Sequence, residues 1–129
     1  MTTQKLPRPT AAELEILGVL WQRGPSTVRD VHEVLGRTKR TGYTTILKLM
    51  QIMAEKGLVR RNEDQRAHLY EARLRREQTQ KQLIGDLLDR AFGGSALNLM
   101  MQALSVRKAS RGDLAEIRKL LDDYERGVK

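Results

Sequence analysis

Between residues 41 and 72 the chain changes its apolar period once, and that change constrains the fold more than any other feature. At steps of about 100° per residue, Tyr43, Ile46, Leu47, Leu49, Met50 and Met53 gather on one broad apolar side. Thr44, Lys48, Gln51 and Glu55 line the other, with Thr45 beside them. The spacing predicts a helix that buries one side and stops at Lys56-Gly57, because glycine readily takes the backbone angles that end a helix. The run LVRRNEDQRAHLYEA then alternates loosely around Leu58, Leu69 and Tyr70, with Asn62 to Arg66 as a polar turn, and reads as a hairpin. A helix with an unburied polar face running straight into a hairpin is the pattern of a winged helix-turn-helix.

Two shorter helices precede it. Pro7 and Pro9 disfavour helix at the start, and Thr10 with Glu13 then forms a capping box that opens a helix through Leu14, Leu17, Leu20 and Trp21. Gly24-Pro25 ends it. Ser26 and Thr27 open a second helix, with Asp30 three residues after Thr27, an inner stripe of Val28, Val31, Val34 and Leu35, and Gly36 as the expected C′ residue. Residues 1–73 therefore read as a winged-helix DNA-binding domain, the hairpin either closing the core as a ribbon or carrying Arg66 outward toward phosphate.

From Leu74 onward the period is helical. Leu83, Ile84, Leu87, Leu88, Ala91 and Phe92 share one face, Gly93-Gly94 breaks the helix, and Ser95 can cap a short apolar one with Leu97, Leu99, Met100, Met101 and Leu104. Ser110 and Asp113 form a capping box for a last helix that repeats Leu114, Ile117, Leu121 and Tyr124 at near-heptad spacing. Short amphipathic helices bury little alone, so residues 74–129 read as a helical dimerisation domain with a second copy as the simplest cover. Its expected contact set is Leu83, Leu87, Phe92, Leu97, Met100, Met101, Leu104, Leu114, Ile117 and Leu121; a compact helical monomer is the competing reading. The expected fold class is mainly α, with one small β-hairpin wing.

Charge points to an anionic partner. Lys and Arg outnumber Asp and Glu by 24 to 16, for a formal charge of +8, which suits nucleic acid and also permits an anionic membrane surface. The excess is shared evenly between residues 1–72 and 73–129, so only local runs locate a surface. Arg37, Lys39 and Arg40 precede the third helix, and no carboxylate occurs from Arg37 to Ala54. A basic loop is often just solvated surface; its place before a helix with short hydroxyls and Lys48 near its start gives it a role in binding bases and phosphates.

Other classes find less support. Without cysteine there is no disulfide, thiolate metal site or cysteine nucleophile. No apolar run approaches the roughly 20 residues of a membrane span and the start lacks a secretory h-region, so the expectation is a cytoplasmic protein with no membrane insertion. His32 and His68 have no close ligand spacing, and Gly93-Gly94 is far short of a phosphate-binding loop. No cofactor, metal or catalytic constellation is expected, and the chain does not read as an enzyme.

The run TAAELEILGVLW, the pair Ser26-Thr27, TGYTTILKLMQIMAEKGLV followed by YEA, and the GG break with its helical tail resemble the penicillinase-repressor (BlaI/MecI) family. The resemblance implies a homodimeric cytoplasmic repressor whose winged helices bind a palindromic double-stranded DNA operator. Carried over by position, it sets Thr44, Thr45 and Lys48 at the major groove, Tyr43 at the helix start, Lys39, Arg40 and Thr41 just before it, and Arg66 on the wing. The chain departs from the family at Ile52, where relatives often have Arg, which puts one backbone contact in doubt. It also lacks the cysteine cluster of copper-responsive relatives. β-Lactam-responsive members are inactivated through a membrane sensor protease system that causes a cut after the GG break, and the corresponding pair here is Met100-Met101, which reads better as dimer packing because methionine at helical spacing usually fills irregular cores. Two other readings stay open: a repressor released by a small ligand, and a winged-helix adaptor that binds protein without DNA affinity.

Overall fold

The computed structural model describes residues 7–37 and 40–127. In chain order these form α1 (Ala11–Arg23), α2 (Val28–Leu35), α3 (Tyr43–Lys56), β1 (Val59–Asn62), β2 (Leu69–Ala72), α4 (Arg76–Ala91), α5 (Ala96–Val106) and α6 (Arg111–Glu125). The strands pair antiparallel, with Val59 opposite Ala72 and Arg61 opposite Tyr70. Two compact units divide the chain between Gly85 and Asp86, inside α4.

The first unit starts from its caps. Thr10 and Glu13 exchange backbone-to-side-chain hydrogen bonds of 2.8 and 3.2 Å, and Thr27 and Asp30 do the same at 3.0 and 3.1 Å. Each pair satisfies two backbone N–H groups that the first helical turn would otherwise leave open. Gly24, at φ 87°, turns the chain out of α1. Ser26 is then fully buried, and its backbone exchanges two hydrogen bonds with Tyr70, N–H to O at 2.9 Å and 2.8 Å in return. This bridge fastens the hairpin to the loop between α1 and α2.

Gly36 works differently from a left-handed C′ glycine. It sits at φ −64°, within the right-handed region, but a Cβ there would lie 2.8 Å from the His32 carbonyl oxygen. Space rather than backbone angle calls for glycine at this position. Gly57, at φ 85°, does adopt the left-handed form and delivers the chain from α3 into β1.

Ile16, Leu17 and Leu20 of α1, Val28 and Val31 of α2, Ile46, Met50 and Met53 of α3, and Leu58, Val59 and Tyr70 make the core. Truncating a fully buried residue such as Met50 to alanine costs about 2–5 kcal/mol. At its edge lies a charge: Glu13 is only 2% exposed, and Lys56 from the end of α3 reaches it at 2.6 Å. Burial alone would raise the Glu13 pKa, but the Lys56 ammonium and the Thr10 N–H together outweigh it and hold the carboxyl below its ordinary 4.5.

The hairpin ends at Ala72, yet the start of α4 still belongs to this unit. The Trp21 indole donates to the Leu74 carbonyl at 2.9 Å, Thr79 is buried, and Gln82 Nε2 donates to the Pro7 carbonyl at 2.9 Å. These contacts explain why the compact unit runs to Gly85, beyond the end of the hairpin.

In the second unit, Gly93 and Gly94 take successive positive φ angles of 55° and 81° and reverse the chain. Ser95 caps α5 through the Asn98 N–H, and Ser110 with Asp113 caps α6 in a reciprocal pair. No described residue of α5 or α6 is buried, and Leu97 and Met101 are 70% and 57% exposed. Among the described residues no helix is long and apolar enough to cross a membrane.

Replacing Lys56 by methionine strands a buried carboxylate, and the expected loss at neutral pH is about 2–3 kcal/mol, somewhat less than for a fully buried pair because Lys56 is partly solvated. The folded Glu13 pKa is depressed, so the wild-type contribution is complete above pH 4.5 and fades as pH falls through the folded value. Urea titrations at neutral and acidic pH check both points; a deficit in Lys56→Met that does not shrink on acidification contradicts them.

Candidate nucleic-acid interface

The start of α3 is more open than the starts of α1 and α2, which are closed by capping boxes. Gly42 is its N-cap and supplies no side-chain cap, so the first N–H groups and the positive end of the helix dipole are left for water or an anion. Behind them Thr44, Thr45, Lys48 and Gln51 are all exposed, in agreement with their placement on the polar face. Arg40 is exposed and Thr41 half-buried just before the helix, while Lys39 lies outside the described residues. Ile52 is 36% exposed at the helix surface.

Tyr43 departs from its expected apolar placement. It is 46% exposed, with its ring edge-on to His32 of α2 at a centroid distance of 5.8 Å and an interplanar angle of 82°. The phenol therefore stands at the rim, held by a T-shaped aromatic contact instead of the core.

Between α2, α3 and the hairpin lies a groove of about 880 Å³. Thr27, Val28 and Arg29 line it from α2 and its cap, Tyr43, Leu47 and Gln51 from α3, and Arg61, Arg66, Ala67, His68 and Tyr70 from the hairpin. No carboxylate lines it. Arg61 is fixed by bonds to the Tyr70 hydroxyl and to Glu63 Oε2, the latter at 2.9 and 3.1 Å, and these hold its pKa above the ordinary guanidinium value. Of the expected binding residues, Tyr43 and Arg66 meet in this groove, whereas Thr44, Thr45 and Lys48 are exposed on α3 without lining it.

Arg29, Arg61 and His68 were not among the expected binding residues. Arg29 lies inside the Thr27–Asp30 capping box of a helix whose pattern advertises only its apolar stripe. Arg61 and His68 need the strand register, in which Arg61 faces Tyr70. A hairpin with its turn read as Glu63 to His68, the residues between β1 and β2, would have brought His68 into view.

In the second part of the chain, Leu87, Leu97, Met100, Met101, Leu104 and Leu121 are exposed, while Leu83, Phe92, Leu114 and Ile117 are half-buried. Val106 and Leu120, outside the expected contact set, are exposed as well. Among the described residues no group of three or more His, Asp or Glu is placed to hold a metal ion.

A family model described as penicillinase repressor matches residues 9–123. The chain belongs to the penicillinase repressor family. The transcriptional regulator BlaI of Mycobacterium tuberculosis (strain H37Rv) is 31% identical over 124 residues, covering 95% of this chain and 89% of that protein. The penicillinase repressor of Bacillus licheniformis is 20% identical over 126 residues, covering 98% of each. The family is one of transcriptional repressors and not of enzymes. Among solved structures, monomeric B. licheniformis BlaI in complex with the blaP half-operator superposes with a TM-score of 0.51 at 23% identity, covering 58% of this chain and 92% of that one. The DNA binding domain of the repressor BlaI gives the same score and identity, covering 57% and 90%. The likeness establishes the winged-helix fold of the first unit.

Replacing His32 by alanine removes the ring that props Tyr43, with an expected loss of about 0.5–1.5 kcal/mol. The ring-proton shifts of Tyr43 in an NMR spectrum should move toward free-tyrosine values; unchanged shifts contradict the contact.

Proposed function

We propose that this protein is a DNA-binding transcriptional repressor that grips a palindromic operator as a homodimer. The observation that carries the reading is α3, an uncapped helix start followed by exposed Thr44, Thr45 and Lys48, beside a groove lined by cations and no carboxylate. Such a helix enters the major groove by its N-terminal residues. The phosphates on either side are met by Arg40, by Arg66 on the hairpin and by Lys39 before the helix. Family membership supports DNA as the partner over a protein ligand for the same fold.

Each contact has a physical role. Lysine and arginine release counterions condensed on the duplex, so affinity falls steeply as salt rises. Thr44, Thr45 and Tyr43 face base edges with short hydroxyls and a ring, and read sequence by hydrogen bonds and apolar contact. Ile52 offers no charge to a phosphate, so the chain forgoes that contact.

In this reading residues 1–73 bind DNA and residues 74–129 join two copies. The exposed apolar faces of α5 and α6 support a second copy as their cover, since an isolated chain leaves Leu97, Met101 and Leu121 in water. A two-fold dimer places its two α3 helices on half-sites about 10 base pairs apart, or a multiple of that. The protein works in the cytoplasm and blocks polymerase access, and Met100-Met101 belong to the contact between the two copies.

Lys48→Ala should weaken binding to all duplexes alike and reduce the slope of log affinity against log salt by about one; an unaltered slope removes Lys48 from the phosphates. Thr44→Ala should instead change the preference between operator and scrambled duplex, measured by competition gel shift, and retained discrimination takes Thr44 off the reading surface. Sedimentation equilibrium of the full chain should give twice the chain mass, and a single-chain mass at micromolar concentration contradicts the homodimer.

A further inference from the structure

The groove between α2, α3 and the hairpin is lined by one imidazole. His68 follows the hairpin turn, is half-buried, and lines the same groove as Arg29, Arg61 and Arg66. Tyr43 and Tyr70 complete its aromatic and hydroxyl walls. The hairpin's carboxylates are turned to other uses: Glu63 is bonded to Arg61, Glu71 to Arg60, and Asp64 lies in the turn, with none of them lining the groove. On α2, Asp30 is held by its Thr27 cap and Glu33 is exposed.

Three guanidinium groups on two facing walls of one concavity, Arg29 on α2 and Arg61 with Arg66 on the hairpin, match a polyanion passing through it better than a single base edge. Arginine presents a planar fork suited to phosphate oxygens. The groove adjoins the N-terminal end of α3, through Tyr43 and Leu47. A duplex whose major groove holds that end must carry one sugar-phosphate strand past α2 and the hairpin.

We infer that this groove seats a stretch of DNA backbone and that its seating draws a proton onto His68, making operator binding proton-linked. The inference rests on the DNA-binding reading above and deepens it. A phosphate seated beside an imidazole favours the charged ring. Imidazole is the side chain whose charge changes between about pH 5 and 8. By linkage, whatever stabilises the protonated ring in the complex makes the complex tighter as pH falls. The bond is a charge-assisted N–H to phosphate oxygen contact, and the proton comes from solvent.

The test is the affinity of the full-length protein for a duplex of random sequence about 30 base pairs long, at about pH 6 and about pH 8 and constant ionic strength. Wild type should bind roughly three- to ten-fold tighter at the lower pH. His68→Gln should bind with little change between the two, and His68→Lys should hold the tight value at both. His32→Gln, the other histidine, should keep the wild-type dependence. If a His68 variant fails to fold, calorimetry of wild type in two buffers of different ionisation heat gives the proton uptake directly, with up to one proton expected per chain. Zero uptake, or a pH dependence that survives His68→Gln or vanishes with His32→Gln, overturns the inference and leaves the DNA-binding reading standing. Absence of salt-dependent DNA affinity at either pH removes both.

Discussion

Two hydrogen bonds between Ser26 and Tyr70 decide where everything else in the first unit can be. They join a buried loop residue to the middle of β2, so the hairpin is fastened to the α1–α2 turn as well as to α3. A two-stranded ribbon alone is marginal in water; these bonds and the buried Tyr70 ring make it part of the core. Because Arg61 lies opposite Tyr70 in the register, the same anchor sets the guanidinium at the groove wall. The position of Arg29 follows from the other side, since Thr27 caps α2 directly after Ser26.

The chain spends its charge unevenly in space although evenly in sequence. Glu13, buried, and Lys56, partly solvated, make an ion pair that ties the first turn of α1 to the last of α3, and that pair fixes the rear of the helix whose front faces outward. Buried pairs add little net stability but punish the loss of either member. The front has no such partner: the exposed Lys48 and the groove arginines other than Arg61 make no ion pair among those described around them. Helices α5 and α6 reverse this logic, with Ser95 capping one, the reciprocal Ser110–Asp113 pair capping the other, and apolar faces open to solvent. Local rules form these helices, and burial of their faces has to come from elsewhere.

How much of this the sequence announces depends on the range of the physics involved. Caps are local, so Thr10 with Glu13, Thr27 with Asp30, Ser95 and Ser110 with Asp113 are readable from residues three apart. The glycine stops at Gly24, Gly57 and Gly93-Gly94 are readable for the same reason. Tyr43 shows the limit of a helical wheel. It lies on the apolar side by angle, but at the first turn no core stands behind it, and His32 takes it instead. Trp21 bonding to Leu74, Gln82 to Pro7 and Lys56 to Glu13 join residues more than forty positions apart. No period or spacing encodes such pairs. The groove belongs to the same class, because it exists only once α2, α3 and the hairpin are assembled, and so Arg29, Arg61 and His68 escape a reading that runs along the chain.

The start of α3, the start of α2 and the hairpin form one surface open to a duplex. Backbone amide shifts of the full-length protein, followed by NMR as a DNA duplex is added, report that surface residue by residue. The changes should concentrate at the start of α3 from Tyr43 to Lys48, at the start of α2 around Arg29, and in the hairpin from Arg61 to His68. Changes spread over α5 and α6 with those three segments silent would contradict it.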